Sequence, residues 1–497
     1  MLSKKIARPK ILVSLNSICV PTGQCDCDGG DCACDLSPLA ELSSDKQLSL
    51  GMFKTEFIKA HNSQIMNLDD TYSICYGSDH KIAVLNQSAL YLLNLFTNPY
   101  NLHDIAIEHP QIETTDLQTA IQELYQARLI VPKNHYSFNL KEIPETLTAW
   151  LHITDRCNLR CDYCYLPHLA KDMSIDIGKA AIESTFRSAS LNRYRRVKLK
   201  YAGGEALLCS TLIKDLHLYA KSLSQQTDII LDGVVLSNGT LITSEIIEML
   251  QTLNLRLMIS LDGLSNFHNM QRFYAGGKGS FQDVEQGIKI ALQNGLIPDI
   301  SITVSGRNAE GLPSLLEWIL EYNLPFSLNF YRENEFSASH EDLQLEESKL
   351  IEGMLAAFKV IELKLPNRSL LGSLIDRANL SSPHQRTCGV GQSYLVFDYK
   401  GKIAKCQMQL DKTVSSINTQ DPLTVVRQDK AGIQNLSVEE KEGCRTCEWK
   451  YWCTGGCPLA TFKATGRYDI QSPNCNIYKA LYPEAVRLEG LRLVKYQ

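Results

Sequence analysis

The sequence lacks any long apolar run. No window approaches the ~18 residues a membrane helix requires, and the longest early run, Ile11 to Leu15, is too short for a secretory signal core. A basic excess is also missing: 50 Lys and Arg stand against 55 Asp and Glu in 497 residues, a formal net charge of -5. That balance sets nucleic acid aside as the expected partner. The absences together imply a cytoplasmic chain with no membrane and no nucleic-acid partner, long enough for roughly three domains.

What the chain has instead is cysteine, 17 in all. In a reducing compartment these do not read as a disulfide framework, and clustered ones read as metal or cluster ligands. Five lie between Cys19 and Cys34, three between Cys157 and Cys164, and seven between Cys388 and Cys475. Cys75 and Cys209 stand alone and read as small buried hydrophobes. The triad Cys157, Cys161 and Cys164 sits in TDRCNLRCDYCY at the spacing C-x3-C-x2-C. A tetrahedral metal site or a cubane cluster takes four ligands, yet the next candidate is His168, beyond Pro167. Either a distant residue completes a zinc site, or one position is open to a ligand that is not protein.

Organisation changes along the chain. Residues 1–66 show little periodicity and read as an extension holding CDCDGGDCACD; its C-x-C-x4-C-x-C pattern is open between a thiophilic metal site, a segment like a fused precursor peptide and a flexible tail. Residues 67–135 read as a small winged-helix-like module: strands in YSICY and KIAVL, a helix over Gln87 to Phe96, a second with Leu117, Ala120, Ile121 and Leu124 on one face, and a final RLIVP. Over 147–335 the strands TAWLHIT, VKLKYA, IILDGVVLS, LRLMISLD, DISITVS and FSLNFY alternate with helical patterns, predicting an α/β fold with a partial (β/α)6 TIM-like barrel. Residues 336–385 read as a helical bridge and 386–497 as a Cys-rich C-terminal domain ending in a helix.

The triad just after the first barrel strand, with an aromatic behind it, resembles the radical S-adenosylmethionine (AdoMet) superfamily. The resemblance implies that Cys157, Cys161 and Cys164 hold three irons of a [4Fe-4S] cluster, that AdoMet chelates the fourth, and that reductive cleavage gives a 5'-deoxyadenosyl radical. YAGGEAL, LSNGT, SLDG and HNMQRFYAGG follow on successive strands. By the same resemblance Gly203, Gly204, Glu205, Ser237, Asn238, Ser260, Asp262 and Arg272 contact AdoMet, with Glu205 meeting its amino group. Taken singly each Gly-containing turn reads as an ordinary βα loop.

The run Cys388-x12-Gly401-x4-Cys406, Cys444-x2-Cys447-x5-Cys453-x3-Cys457, then Cys475 resembles the seven-Cys SPASM extension of radical AdoMet enzymes that modify peptides and proteins. It implies two auxiliary [4Fe-4S] clusters, one held by Cys444, Cys447, Cys453 and Cys475, the other by Cys388, Cys406 and Cys457. An additional Cys found in some members is Ser382 here, which leaves water, His384 or Asp376 as a fourth ligand, or an open iron. A zinc ribbon on CRTC and CTGGC is the bland reading. Gln407 stands where sulfatase-maturing relatives carry an Asp. The module at 67–135 resembles a PqqD-like recognition element, which adds a leader peptide as an edge strand.

The expected function is therefore a radical AdoMet/SPASM peptide maturase forming an oxidative thioether or carbon–carbon crosslink. Its partners are a precursor peptide with a leader and an external flavodoxin- or ferredoxin-like electron donor. Maturation of a protein target, quinohemoprotein or sulfatase, is the alternative, and a non-catalytic iron–sulfur partner a third. The catalytic acid or base is not identified; Glu205, Asp262, Arg272 and Arg332 stand at the barrel top.

Overall fold

The computed structural model describes residues 8–14, 54–134, 140 and 145–496, so the Cys19–Cys34 run lies outside the described residues. In the N-terminal part the strands are β1 (Ile11–Val13), β2 (Phe57–Lys59), β3 (Gln64–Asn67), β4 (Tyr72–Tyr76), β5 (Ala83–Asn86) and β6 (Ile130–Pro132). They form an antiparallel sheet in the order β1-β5-β4-β3 and a separate β2-β6 pair. The helix Gln87–Leu95 starts where the Asn86 side chain accepts from the Ala89 N–H at 2.9 Å. The helix Thr114–Gln126 buries Leu117, Ala120, Ile121 and Leu124, the stripe its period predicts.

Two features differ from the sequence reading. The stretch 1–66, expected to be an extension, supplies β1, β2 and β3, and a further helix, Leu102–Glu108, stands between the two expected ones. The strands are three or four residues long, too short to display alternation. Distant partners fix them: Ile11 sits opposite Leu85, and Phe57 opposite Pro132.

The centre is six parallel strands: β7 (Thr146–Thr154), β8 (Arg196–Gly203), β9 (Ile230–Ser237), β10 (Arg256–Ser260), β11 (Asp299–Val304) and β12 (Phe326–Phe330). Side chains alternate across them. On β7, Leu147, Ala149, Leu151 and Ile153 pack with Ile182 and Phe186 of the helix Ile175–Leu191. Trp150 points the other way, into a cluster with Ala202, Val396, Cys388, Cys406 and Cys457.

The Cys-rich part extends this sheet. The strand β13 (Tyr394–Phe397) adds parallel to β7, Tyr394 opposite Thr148, and β14 (Lys402–Ala404) and β15 (Thr413–Ser416) continue antiparallel, so the sheet has nine strands. The edge of β7 is thereby paired and carries three of the C-terminal cysteines to the inner face. The bridge contains the helix Glu347–Leu363, after which no helix or strand occurs before β13.

The C-terminal helix Cys475–Lys495 ties the parts together. It runs along Glu347–Leu363, and a Cβ on its Gly490 would lie 2.8 Å from Leu68 and 2.9 Å from Ile74 of the N-terminal part. Its buried Glu489 accepts hydrogen bonds from Ser14 (2.6 Å) and Ser369 (3.0 Å). No helix among the described residues is long and apolar enough to cross a membrane.

Candidate functional site

The triad loop leaves the C-terminal end of β7 and is fastened from two sides. From β8, Gly204 N–H donates to Thr154 O (2.7 Å) and Glu205 N–H to Arg156 O (2.8 Å). The two glycines are required by this contact: a Cβ at Gly203 would lie 2.3 Å from Thr154 O, and one at Gly204 2.2 Å from Arg156 O. From beyond β10, Phe273 O accepts from Arg160 N–H (2.7 Å) and Gln271 O from Asp162 N–H (3.1 Å).

Glu205 lies beneath the loop. Its carboxylate is fully buried and accepts from Leu207 N–H (3.0 Å), Ser237 Oγ (2.9 Å) and Asn238 N–H (2.6 Å). Burial raises its pKa, against those hydrogen bonds. The geometry makes it a brace between β8 and β9. Asn238 does reach the triad: its Nδ2 lies 3.8 Å from Cys157 Sγ and donates to Asn158 Oδ1 (2.8 Å).

Asp262 and Arg272 meet on the other side of the triad. Asp262 Oδ2 accepts from Tyr163 Oη (2.6 Å) and Gln271 Nε2 (3.0 Å), and Oδ1 from Thr303 N–H (2.8 Å). Arg272 lies 3.7 Å from Asp262, donates to Tyr163 Oη, and keeps a buried Nε without a partner. Burial raises all three triad thiols, Cys161 to about 12, and the Arg272 charge opposes the rise. Ser260 stands at the end of β10 opposite Ser301, outside this network. Tyr163 and Asn158, absent from the sequence-based residues, are central here; no spacing signalled them, because their partners come from other strands.

The C-terminal cysteines form two sets. Cys444, Cys447, Cys453 and Cys475 line one cavity, together with Trp449 and Tyr482. Cys388, Cys406 and Cys457 pack in the inner-face cluster with Trp150. Burial works against the Cys457 thiolate, but the charges of Arg332 and Arg377 outweigh it and hold this thiol below its ordinary range. Asp376, one possible fourth ligand, is occupied: Arg332 Nη2 donates to both its oxygens at 2.8 Å. His384 faces Ser382 O through Nδ1 at 3.2 Å, and burial lowers its pKa to about 4.

No group of three or more Cys, His, Asp or Glu among the described residues has single-ion geometry.

Comparison with known proteins agrees with this geometry. Residues 151–319 match the Radical SAM superfamily. An uncharacterized protein of Methanocaldococcus jannaschii is 30% identical over 175 residues, 35% of this chain and 58% of that one. The serine-type anaerobic sulfatase-maturating enzyme of Bacteroides thetaiotaomicron is 25% identical over 351 residues, 62% of this chain and 81% of its own. The subtilosin biosynthesis protein AlbA of Bacillus subtilis is 28% identical over 172 residues, 34% of this chain and 35% of AlbA. Thus the chain spans little more than half of the first of these relatives and about a third of the last. The solved structure of anSMEcpe with bound AdoMet and Cp18Cys peptide shares the fold, with a TM-score of 0.56 at 19% identity over 70% of this chain and 99% of that one. The strand order, the braced triad after β7 and the superfamily match lead to one conclusion: residues 151–319 of this chain are similar to the Radical SAM superfamily.

Proposed function

We propose that the chain is a radical AdoMet/SPASM maturase that installs an oxidative crosslink, a thioether or carbon–carbon bond, in a ribosomally made peptide. The observation that carries this reading is the gathering of Cys444, Cys447, Cys453 and Cys475 around one cavity, apart from Cys388, Cys406 and Cys457 on the inner face. This division matches the two auxiliary clusters that the seven-Cys resemblance implies. Relatives named for subtilosin biosynthesis and for sulfatase maturation support peptide or protein modification as the class of work.

The donors fit the groups. Three thiols on one braced loop, beside the buried Arg272 cation whose Nε has no partner, suit an anionic thiolate-held cluster with one open iron. Bound there, the cluster and AdoMet supply hydrogen-atom abstraction from substrate, with electrons from a flavodoxin- or ferredoxin-like donor. The protein's part is positional. Gly203 and Gly204 let two backbones touch, Glu205 locks β9 beneath the loop, and Asn238 and Arg272 stand beside the thiols. Asp262 holds Tyr163 and Arg272 in place.

Substrate delivery is assigned to the N-terminal sheet. Among the described residues its strand β3 pairs with β4 alone and exposes Gln64, Ile65 and Asn67, an edge suited to a leader peptide added as a further strand. The sulfatase relative favours a protein target as the second reading. Against its formylglycine version, Gln407 is buried and accepts from Tyr394 Oη at 3.1 Å, so no carboxylate base stands after Cys406. The test is anaerobic co-expression with a short peptide encoded beside the gene. The peptide is expected to be lighter by two hydrogens, and unmodified with Cys161→Ala. The same mass loss with that variant would defeat the proposal.

A further inference from the structure

Lys441 follows a 3-10 turn closed by the Ser437–Glu440 capping box and turns its side chain inward, leaving 2% exposed. Its Nζ donates to Thr454 O at 2.7 Å. The next residue, Gly455, has φ +83°, and a Cβ there would lie 2.8 Å from Lys441 Cδ, 3.1 Å from Nζ and 3.3 Å from Cys444 Sγ. The glycine is thus the slot in which the ammonium and that thiol come together.

Other buried cations of this region are paired. Arg332 holds Asp376 at 2.8 Å and Lys405 holds Asp429 at 3.0 Å. Lys441 has no carboxylate partner among the described residues. A buried ammonium without a counter-charge is costly and tends to lose its proton. The carbonyl it holds belongs to Thr454, which stands between Cys453 of one set and Cys457 of the other, and that carbonyl also accepts from Thr387 Oγ1, beside Cys388, at 3.2 Å. Thiols carry charge in such surroundings when a metal replaces their protons.

We propose that Lys441 is the shared counter-ion of the two C-terminal cysteine sets, placed between them so that its charge favours the reduced state of the iron–sulfur group on each. The proposal rests on the reading that both sets hold such groups. An electron added to either set adds one negative charge near the same ammonium, so one side chain raises both reduction potentials.

The test is an EPR-monitored redox titration of the full chain carrying Cys157→Ala, Cys161→Ala and Cys164→Ala, which leaves only the C-terminal signals. Adding Lys441→Met is expected to shift both potentials to more negative values, and Lys441→Arg to keep both near the parent's. Lys441→Gln retains a donor to Thr454 O without the charge, and decides the matter if the Met variant fails to fold: potentials like the parent's overturn the proposal. A shift in one set alone overturns the shared role. Absence of C-terminal iron in the parent overturns the cluster reading itself, and the proposal with it.

Discussion

Tyr163 donates its hydroxyl hydrogen to Asp262 at 2.6 Å across 99 positions of sequence, and so joins the cysteine loop to the far side of the barrel mouth. The acceptor is buried, 1% exposed, and cannot turn to water for a replacement. Tyr163→Phe should therefore cost about 1–3 kcal/mol, the range for a lost hydrogen bond to a buried charged group. Urea unfolding of the iron-free chain measures it; an unchanged midpoint would contradict the assigned role.

Gly204 is a contact residue. A Cβ there meets the Arg156 carbonyl, which is backbone and held by Glu205 N–H at 2.8 Å. Gly204→Ala is expected to lose roughly 1–3 kcal/mol through overpacking, and to weaken iron retention by the triad. Iron analysis after anaerobic reconstitution reads the second effect, with the C-terminal iron as internal control.

Acid should weaken the join between barrel and C-terminal part through Asp421. Burial raises its pKa, but hydrogen bonds from Thr424, Asn192 and Ser188 outweigh that and lower it below 3.8. The unfolded chain then binds the proton first, so stability rises with pH in this window. The contribution is present above about 3.8 and is lost as pH falls through the lower folded-state value. Asp421→Asn should flatten the stability profile there, and equal slopes for the two proteins would refute the assignment.

Single cysteine variants should separate the two C-terminal sets. Cys444→Ala is expected to remove the iron of one set while Cys388→Ala removes that of the other, because the first thiol lines the cavity and the second lies in the inner-face cluster. If either variant lost the iron of both sets, one shared site would replace two.

The six barrel strands were legible because each is a buried apolar run flanked by turn residues. The strands β1 to β3 were not, since pairing partners far along the chain create them. The joining of β13 to β7 was hidden for the same reason: a strand of four residues does not name its neighbour. Within the site, sequence located Glu205 and Asn238 but not their partners within the chain. The first is a brace, and the second reaches Cys157 through a turn that only the fold assembles. Lys441 was silent because its burial depends on a glycine fourteen positions away meeting it in space.

The most direct measurement of the central claim is 5'-deoxyadenosine production by the reconstituted chain, given AdoMet and a low-potential reductant under anaerobic conditions. The account predicts steady formation that disappears with Cys161→Ala, while the iron of the C-terminal sets is retained. Undiminished formation in that variant would mean that the triad after β7 is not where AdoMet is cleaved.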